Sequence, residues 1–272
     1  MVTDNRFHHI LIVAALAAVA SAPAGAYAGQ LLGSDVWPHT LIDIDRDDAS
    51  VTVIGVHGVC TLSGLAYDSN HDILYGIAPC TDNIYTVDRF TAEATMIGAP
   101  GALGYGNPNG LAYDPVNDIL YGTDNNTNAL FTIDPQTGVP HEIAIMHGGF
   151  TEIEGLGFNA ATGTLYGITQ LQRRIVTIET TDGRVAEISG ELPDLIWRGL
   201  DYDSERRLLY ASAVDIWDDS QLYSFDPENG YLAYVGETVG ASAVQGLAFV
   251  PEPSTALLCL AAGTIFVARR RK

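Results

Sequence analysis

The chain is 272 residues long, 47% hydrophobic and 17% charged, enough to bury a sizeable core in one large or two small domains. Its formal charge of −20 at pH 7 argues against nucleic acid and anionic lipid as partners. The first thirty residues stand apart from the core. Arg6 precedes an apolar run from Ile10 to Ala20, and Ala26-Tyr27-Ala28 has the small-x-small form of a cleavage site. Together these read as a secretory signal peptide over residues 1–28, the alternative being a buried N-terminal helix.

Beyond it, a three-part phrase recurs. Gly64 to Asp68 is followed by Leu74 to Gly76 and Ile84 to Asp88. The phrase returns as Gly110 to Asp114, Leu120 to Gly122 and Leu130 to Asp134, then as Gly155 to Asn159, Leu165 to Gly167 and Ile175 to Glu179. A fourth copy runs Gly199 to Asp203, Leu209 to Ala211 and Leu222 to Asp226, and a fifth start appears at Gly246 to Phe249. Successive leading glycines are 46, 45, 44 and 47 residues apart. A period near 45 with several short strands per unit is the mark of propeller blades. Within each unit the periodicity is two, as strands require. Turns fall where Asp, Pro, Asn and Gly cluster, as at Asp134 to Gly138, Thr181 to Gly183 and Asp226 to Gly230. The second residue after each leading Gly is small (Ala66, Ala112, Gly157, Ala248), which lets a neighbouring sheet approach closely; Asp201 breaks the column.

The mature start supplies a missing piece. Leu32 to Asp35 matches Tyr121 to Asp124, and Leu41 to Asp45 matches Leu130 to Asp134, both at an offset of 89. Residues 29 onward therefore carry strands two to four of a blade, and residues 246–250 carry a strand one without its partners. Joined, they close a ring. The expectation is an all-β, five-bladed β-propeller over residues 29–250 with one blade split between N- and C-terminal strands. Its 222 residues give 44.4 for each of five units. Eight arginines face 31 acidic residues in this body, a formal charge near −23. Such a surface can bind divalent cations, and it also serves plain solubility.

The C-terminal end is the most specific stretch. Val250-Pro251-Glu252-Pro253-Ser254-Thr255 leads into an apolar run from Ala256 to Ala268, closed by Arg269-Arg270-Arg271-Lys272. The run is shorter than the ~20 residues of a comfortable spanning helix. The basic cluster after it marks the cytoplasmic side and leaves the body outside. Pro251-Glu252-Pro253, a short transmembrane helix and Arg269 to Arg271 together resemble the PEP-CTERM sorting signal of Gram-negative bacteria, over residues 250–272, with residues 251–272 as the sorting and anchor segment. The resemblance implies an exosortase as partner, transient anchoring in the inner membrane, outward release, and a link to exopolysaccharide and biofilm. An ordinary tail anchor is the plainer alternative. The body resembles WD40-like and YWTD-like propellers through its spacing and its Gly-Leu and Leu-Tyr-Gly phrases, but lacks the Trp-Asp and Tyr-Trp-Thr-Asp signatures. A likeness of fold carries no function.

Where chemistry could sit follows from the blade plan. The loops from strand four to the next strand one, and from strand two to strand three, share one face, here called the top. The residue before each leading Gly lies there beside the central channel: Ser63, Asn109, Glu154, Arg198 and Gln245, all polar. They serve either as structural lining or as a ligand or ion site, with Glu154 as anion and Arg198 as cation, and a salt bridge between those two is an ordinary use of them. The same face carries Asp35, Asp124 and the loop Asp215-Ile216-Trp217-Asp218-Asp219. Carboxylates are calcium ligands and an exposed aromatic is a sugar platform, so Asp124, Asp215 and Asp218 are candidate calcium ligands and Trp217 a candidate binding residue. A solvated loop with Trp217 folded back is the competing reading. His57 and His147 read as top-face loop residues in nonadjacent blades. Cys60 and Cys80 flank the first two strands of their repeat on one edge, which an oxidising location permits to join as a disulfide, or which leaves two free thiols.

The chain has no His-Glu-x-x-His or paired-Cys metal motif, no Gly-x-Ser-x-Gly elbow and no phosphate-cradling Gly loop. Two functional classes remain. One is a noncatalytic extracellular binding or matrix protein. The other is a propeller hydrolase or lactonase using top-face carboxylates and a metal, with Glu154 and either Asp124 or Asp215 as its pair.

Overall fold

A computed structural model describes residues 29–215 and 220–252. The signal peptide and tail helix expected at the two ends lie outside the described residues, as do Trp217, Asp218, Pro253 and Arg269 to Arg271. Among the described residues no helix is long and apolar enough to cross a membrane.

The described chain is strand and turn throughout. It opens with β1 (Gln30–Asp35), β2 (Thr40–Ile44) and β3 (Val51–Val56). Blade two is β4 (Gly64–Asp68), β5 (Ile73–Ala78), β6 (Asn83–Val87) and β7 (Ala94–Met96). Blade three is β8 (Pro108–Asp114), β9 (Ile119–Asp124), β10 (Ala129–Ile133) and β11 (Pro140–Ile145). Blade four is β12 (Ile153–Asn159), β13 (Thr164–Thr169), β14 (Arg174–Ile178) and β15 (Val185–Glu187). Blade five is β16 (Ile196–Asp203), β17 (Leu208–Val214), β18 (Ser220–Asp226) and β19 (Tyr231–Glu237), and β20 (Val244–Val250) ends the ring. Each sheet is a four-stranded antiparallel meander, and the first is ordered β20-β1-β2-β3. The split blade is thus formed as the two sequence fragments require. Leu31 pairs with Phe249, Leu32 with Ala248 and Gly33 with Leu247. Closure in this way removes the open end that a linear array would expose.

The core lies between blades rather than within them. Ala66, Tyr75 and Ile77 of blade two pack with Leu111, Tyr113 and Phe131 of blade three, and the pattern repeats around the ring. The small column is the reason the blades fit. A Cβ at Gly157 would lie 2.9 Å from the Asp201 Cα. The leading glycines matter more: a Cβ at Gly64, Gly155 or Gly199 would run into the backbone of the next blade. On the axis, Leu65, Leu111, Leu156, Leu200 and Leu247 meet and leave no room for a water molecule. At about 2–5 kcal/mol for each buried Leu→Ala change, this plug is a large part of what holds the ring.

Much of the acidic excess is spent on turns. The last residue of each complete inner strand, Asp68, Asp114, Asn159 or Asp203, is buried. Each accepts hydrogen bonds from backbone N–H groups at the turn that follows, as Asp68 does from Asn70 (2.9 Å) and His71 (3.0 Å). Asp88 and Asp134 do the same at the outer hairpins. These Asx turns explain why Asp ends the repeated phrase.

Candidate functional site

The residues before the leading glycines owe their positions to a repeated irregularity. Pro108 pairs with Asp124 but Leu111 with Gly122, so Asn109 and Gly110 stand opposite Thr123 alone. Equivalent bulges place Glu154 in β12, Arg198 in β16 and Gln245 in β20. Buried hydroxyls staple two of them: Gly110 N–H donates to Thr123 Oγ1 at 3.0 Å and Gly199 N–H to Ser212 Oγ at 2.8 Å. A bulge tilts its side chains out of the ladder, here toward the top of the axis.

Glu154 and Arg198 meet across two blades at 3.4 Å. Asn125 Nδ2 donates to the other Glu154 oxygen at 3.0 Å, and Arg198 also donates to Gln170 Oε1 at 3.2 Å. Burial pushes the Glu154 carboxyl above the usual range, while the Arg198 guanidinium pulls against it. Ser63 is turned to ring closure. Its hydroxyl lies 3.3 Å from the Ile77 carbonyl and 3.2 Å from that of Pro108, in the next blade. Asn109 donates to the Asn107 carbonyl at 3.3 Å. Ser63, Asn109, Glu154 and Arg198 are thus held by internal partners above the leucine plug, and the axis at the plug itself has no room for water. The cause is the leading glycines, which bring the inner strands too close for it.

Of the three candidate calcium ligands, Asp124 is fully buried and occupied. Its oxygens accept from Asn107 N (2.8 Å), Thr127 N (2.8 Å) and Thr127 Oγ1 (2.7 Å). Asp35 plays the same part in the split blade, accepting from Ser242 Oγ and Ala243 N at 3.0 Å. Asp215 directly follows β17, and Asp218 lies outside the described residues. Among the described residues one group of three has metal-ligand character: Asp68, His71 and Asp118, with ligand atoms within 4.8 Å of one another. It lies on the bottom face, where the sequence reading placed no metal. Its signal, a His three residues after the strand-ending Asp, is indistinguishable in sequence from a turn. His71 Nδ1 lies 2.8 Å from Asp68, and that contact raises the His71 pKa.

His57 is buried on the top face, 3.3 Å from Ser34 Oγ, and accepts the Val59 N–H at 3.2 Å. Desolvation, aided by nearby His39, pushes its pKa down to about 4, so it is neutral at physiological pH. His147 lies exposed in the β11–β12 loop, one of the top-face loops. It bridges by backbone to the hairpin of blade four, donating to Gly183 O at 3.1 Å and accepting from Val185 N at 2.8 Å. The twist of the outer strands carries that loop sideways onto the neighbouring blade. Cys60 and Cys80 are joined as a disulfide on the top of blade two, with Cα atoms 6.5 Å apart.

The sequence reading also passed over an aromatic. Trp37, in the β1–β2 loop of the split blade, is 67% exposed, with its ring 5.3 Å from that of His39. It occupies the same kind of loop as Trp217, one blade further on. The Trp-Pro pair between two strand patterns was the available signal.

Fold and tail together define a class: a five-bladed β-propeller that carries a C-terminal sorting signal. Residues 249–272 match the PEP-CTERM protein-sorting motif, the recognition signal for an exosortase. The match begins within β20, so signal and closing strand are continuous. Among solved structures the chain is similar to one titled "Crystal structure of Nidogen/Laminin Complex", with a TM-score of 0.55 and 14% identity over 82% of this chain and 98% of that one. At that identity the likeness speaks for the fold alone. No curated protein matches the sequence.

Proposed function

We propose that this is a noncatalytic extracellular recognition or matrix protein whose top face binds an exported polysaccharide, such as the exopolysaccharide of a biofilm. The signal peptide is removed after Ala28, the propeller spans 29–250, and 251–272 anchors it in the inner membrane until the exosortase releases it. The observation that carries this reading is the path of β20. It runs from top to bottom and passes straight into Pro251 and Glu252, so the anchor leaves from the bottom and the top face points outward. That outward face carries Trp37, two-thirds exposed, and the ion pair of Glu154 with Arg198. Exposed aromatics with a few placed polar groups suit a sugar polymer.

Turnover is the weaker reading. A hydrolase needs a free carboxylate pair, whereas Glu154 is bound to Arg198 and both oxygens of Asp124 accept internal donors. The same commitments weigh against calcium at Asp124. The test is calorimetry of the purified chain with polysaccharide from the producing strain, with and without calcium. Trp37→Ala and Trp217→Ala should each weaken binding several-fold with an unchanged melting temperature. Absence of binding, or full binding by the double variant, would overturn the proposal. Release of reducing sugar or opened lactone would favour the enzyme.

A further inference from the structure

The opposite end of the ring holds a second feature. Below the leucine plug the inner strands diverge into an open-mouthed funnel of about 90 Å³. Each inner strand supplies one aromatic to its wall: Tyr67, Tyr113, Phe158, Tyr202 and Phe249. Between Leu and aromatic, four strands carry Ala66, Ala112, Gly157 and Ala248, and the fifth carries Asp201, which also borders the funnel. Packing demands a small side chain there, and a carboxylate satisfies neither size nor polarity.

We propose that this funnel is a binding site for a small organic cation, an alkylammonium or quaternary ammonium group, with the five aromatics as its wall and Asp201 as its counter-ion. Aromatic faces attract such cations, and enclosure strengthens the effect. Asp201 accepts Tyr202 N–H at 2.7 Å and Phe249 N–H at 2.6 Å, one on each oxygen, which fixes the carboxylate and leaves further lone pairs free. Among the described residues no arginine or histidine is ion-paired with it. Arg46 lies over the Phe249 ring, 5.0 Å from its centroid, and is committed to Asp203 at 2.6 Å and Glu205 at 3.2 Å. The charged group that acts on Asp201 is Asp203, on its own strand, while Arg207, Glu228 and Asp203 act on the adjacent Tyr202. Burial and Asp203 push the Asp201 carboxyl up to about 7, against the two N–H donors. A site short of positive charge in this way gains by taking a cation in. A hard divalent ion would want six or more oxygen ligands, which aromatic walls do not provide.

The experiment is calorimetry on the full chain with choline and tetramethylammonium, against the neutral choline isostere 3,3-dimethylbutan-1-ol. Both cations should bind at pH 8.5, on the order of tenfold more tightly than at pH 5.5, where Asp201 is protonated. The isostere should bind about tenfold more weakly and show no pH dependence. Asp201→Ala restores the residue found in three other blades and so keeps the fold, yet should reduce the cations to the level of the isostere. Phe158→Leu should weaken them with the pH dependence retained. Equal binding of choline and its isostere, unchanged cation binding in Asp201→Ala, or no binding of either cation at about 50 mM would each overturn the proposal.

Discussion

The two ends of the axis handle a desolvated acid in opposite ways. At the top, Glu154 is pressed between blades four and five, where Arg198, Asn125 and Gln170 compensate it as a network. At the bottom, Asp201 occupies the next interface round, between blades five and one, with backbone donors and no cation of its own. Both carboxyls are raised by desolvation. The difference lies in what offsets it, and it implies that removing a partner weakens the top while removing the acid strengthens the bottom. The faces also differ in freedom. The top holds a disulfide and an exposed Trp37, whereas the bottom is tied to both ends of the body.

The largest expected effect tests whether the ring is needed for either face. A chain ending at Gly240 lacks β20, so β1 loses its partner and Leu247 leaves the plug. It should unfold without cooperativity in urea, while a chain ending at Glu252 keeps a single transition. Identical transitions would show that the remaining strands hold the faces unaided. Next in size, Cys60→Ser with Cys80→Ser opens a link across 20 residues at the top. The entropic account of such links predicts a loss of about 3 kcal/mol in the unfolding free energy. A loss of that size confined to nonreducing conditions would confirm the origin.

The ring is legible in the sequence because closure repeats a phrase. The offset of 89 between the start and blade three located the split blade, and the spacing of the leading glycines set the period of the blades. The site was less legible, since a repeated position does not reveal what its side chain touches. Ser63 and Glu154 look alike as polar residues before a Gly, yet one seals the ring and the other is ion-paired. Asp124 looked like a ligand because its three internal donors come from residues 107 and 127, on either side of the strand. The aromatics of the funnel were visible one by one, but only the curvature of the ring brings them round a common mouth.

The contrast between the faces sharpens at two single residues. Arg198→Ala leaves Glu154 buried without a cation and should cost about 2 kcal/mol, less than a fully buried pair because Arg198 is partly open to water. Asp201→Ala should have the other sign. Its folded pKa lies above the unfolded value, so the folded state holds that proton more tightly. The associated stability is present below about pH 4 and lost as pH rises through about 7. Each unit between these values is worth about 1.4 kcal/mol, and water in the funnel trims the total to about 1–3 kcal/mol. Asp201→Ala should therefore be more stable than the parent at pH 8 and lose that advantage at pH 4, by urea midpoints at both. An advantage that does not change with pH would assign the effect to packing.

The smallest effect concerns how the bottom is tied to the ends of the chain. Glu205 Oε1 accepts the Glu252 N–H at 2.8 Å, Oε2 accepts from Arg46 at 3.2 Å, and a Cβ at Gly29 would lie 2.6 Å from that carboxylate. One side chain therefore holds the strand that leads into the sorting motif and stands beside the first residue of the proposed mature chain. Cleavage after Ala28 would create an α-ammonium at Gly29, within reach of Glu205. The carboxylate is about one-third exposed, so the pair should be worth no more than about 0.5–1 kcal/mol. Glu205→Gln should cost that much in a chain beginning at a free Gly29, and distinctly less when Gly29 is acetylated, since acetylation removes the charge but leaves Arg46 and Glu252 in place. Added salt should shrink the difference between the two forms. An equal cost in both, at low and high salt alike, would mean that Glu205 serves the outgoing strand alone and that the new N-terminus adds nothing to the bottom face.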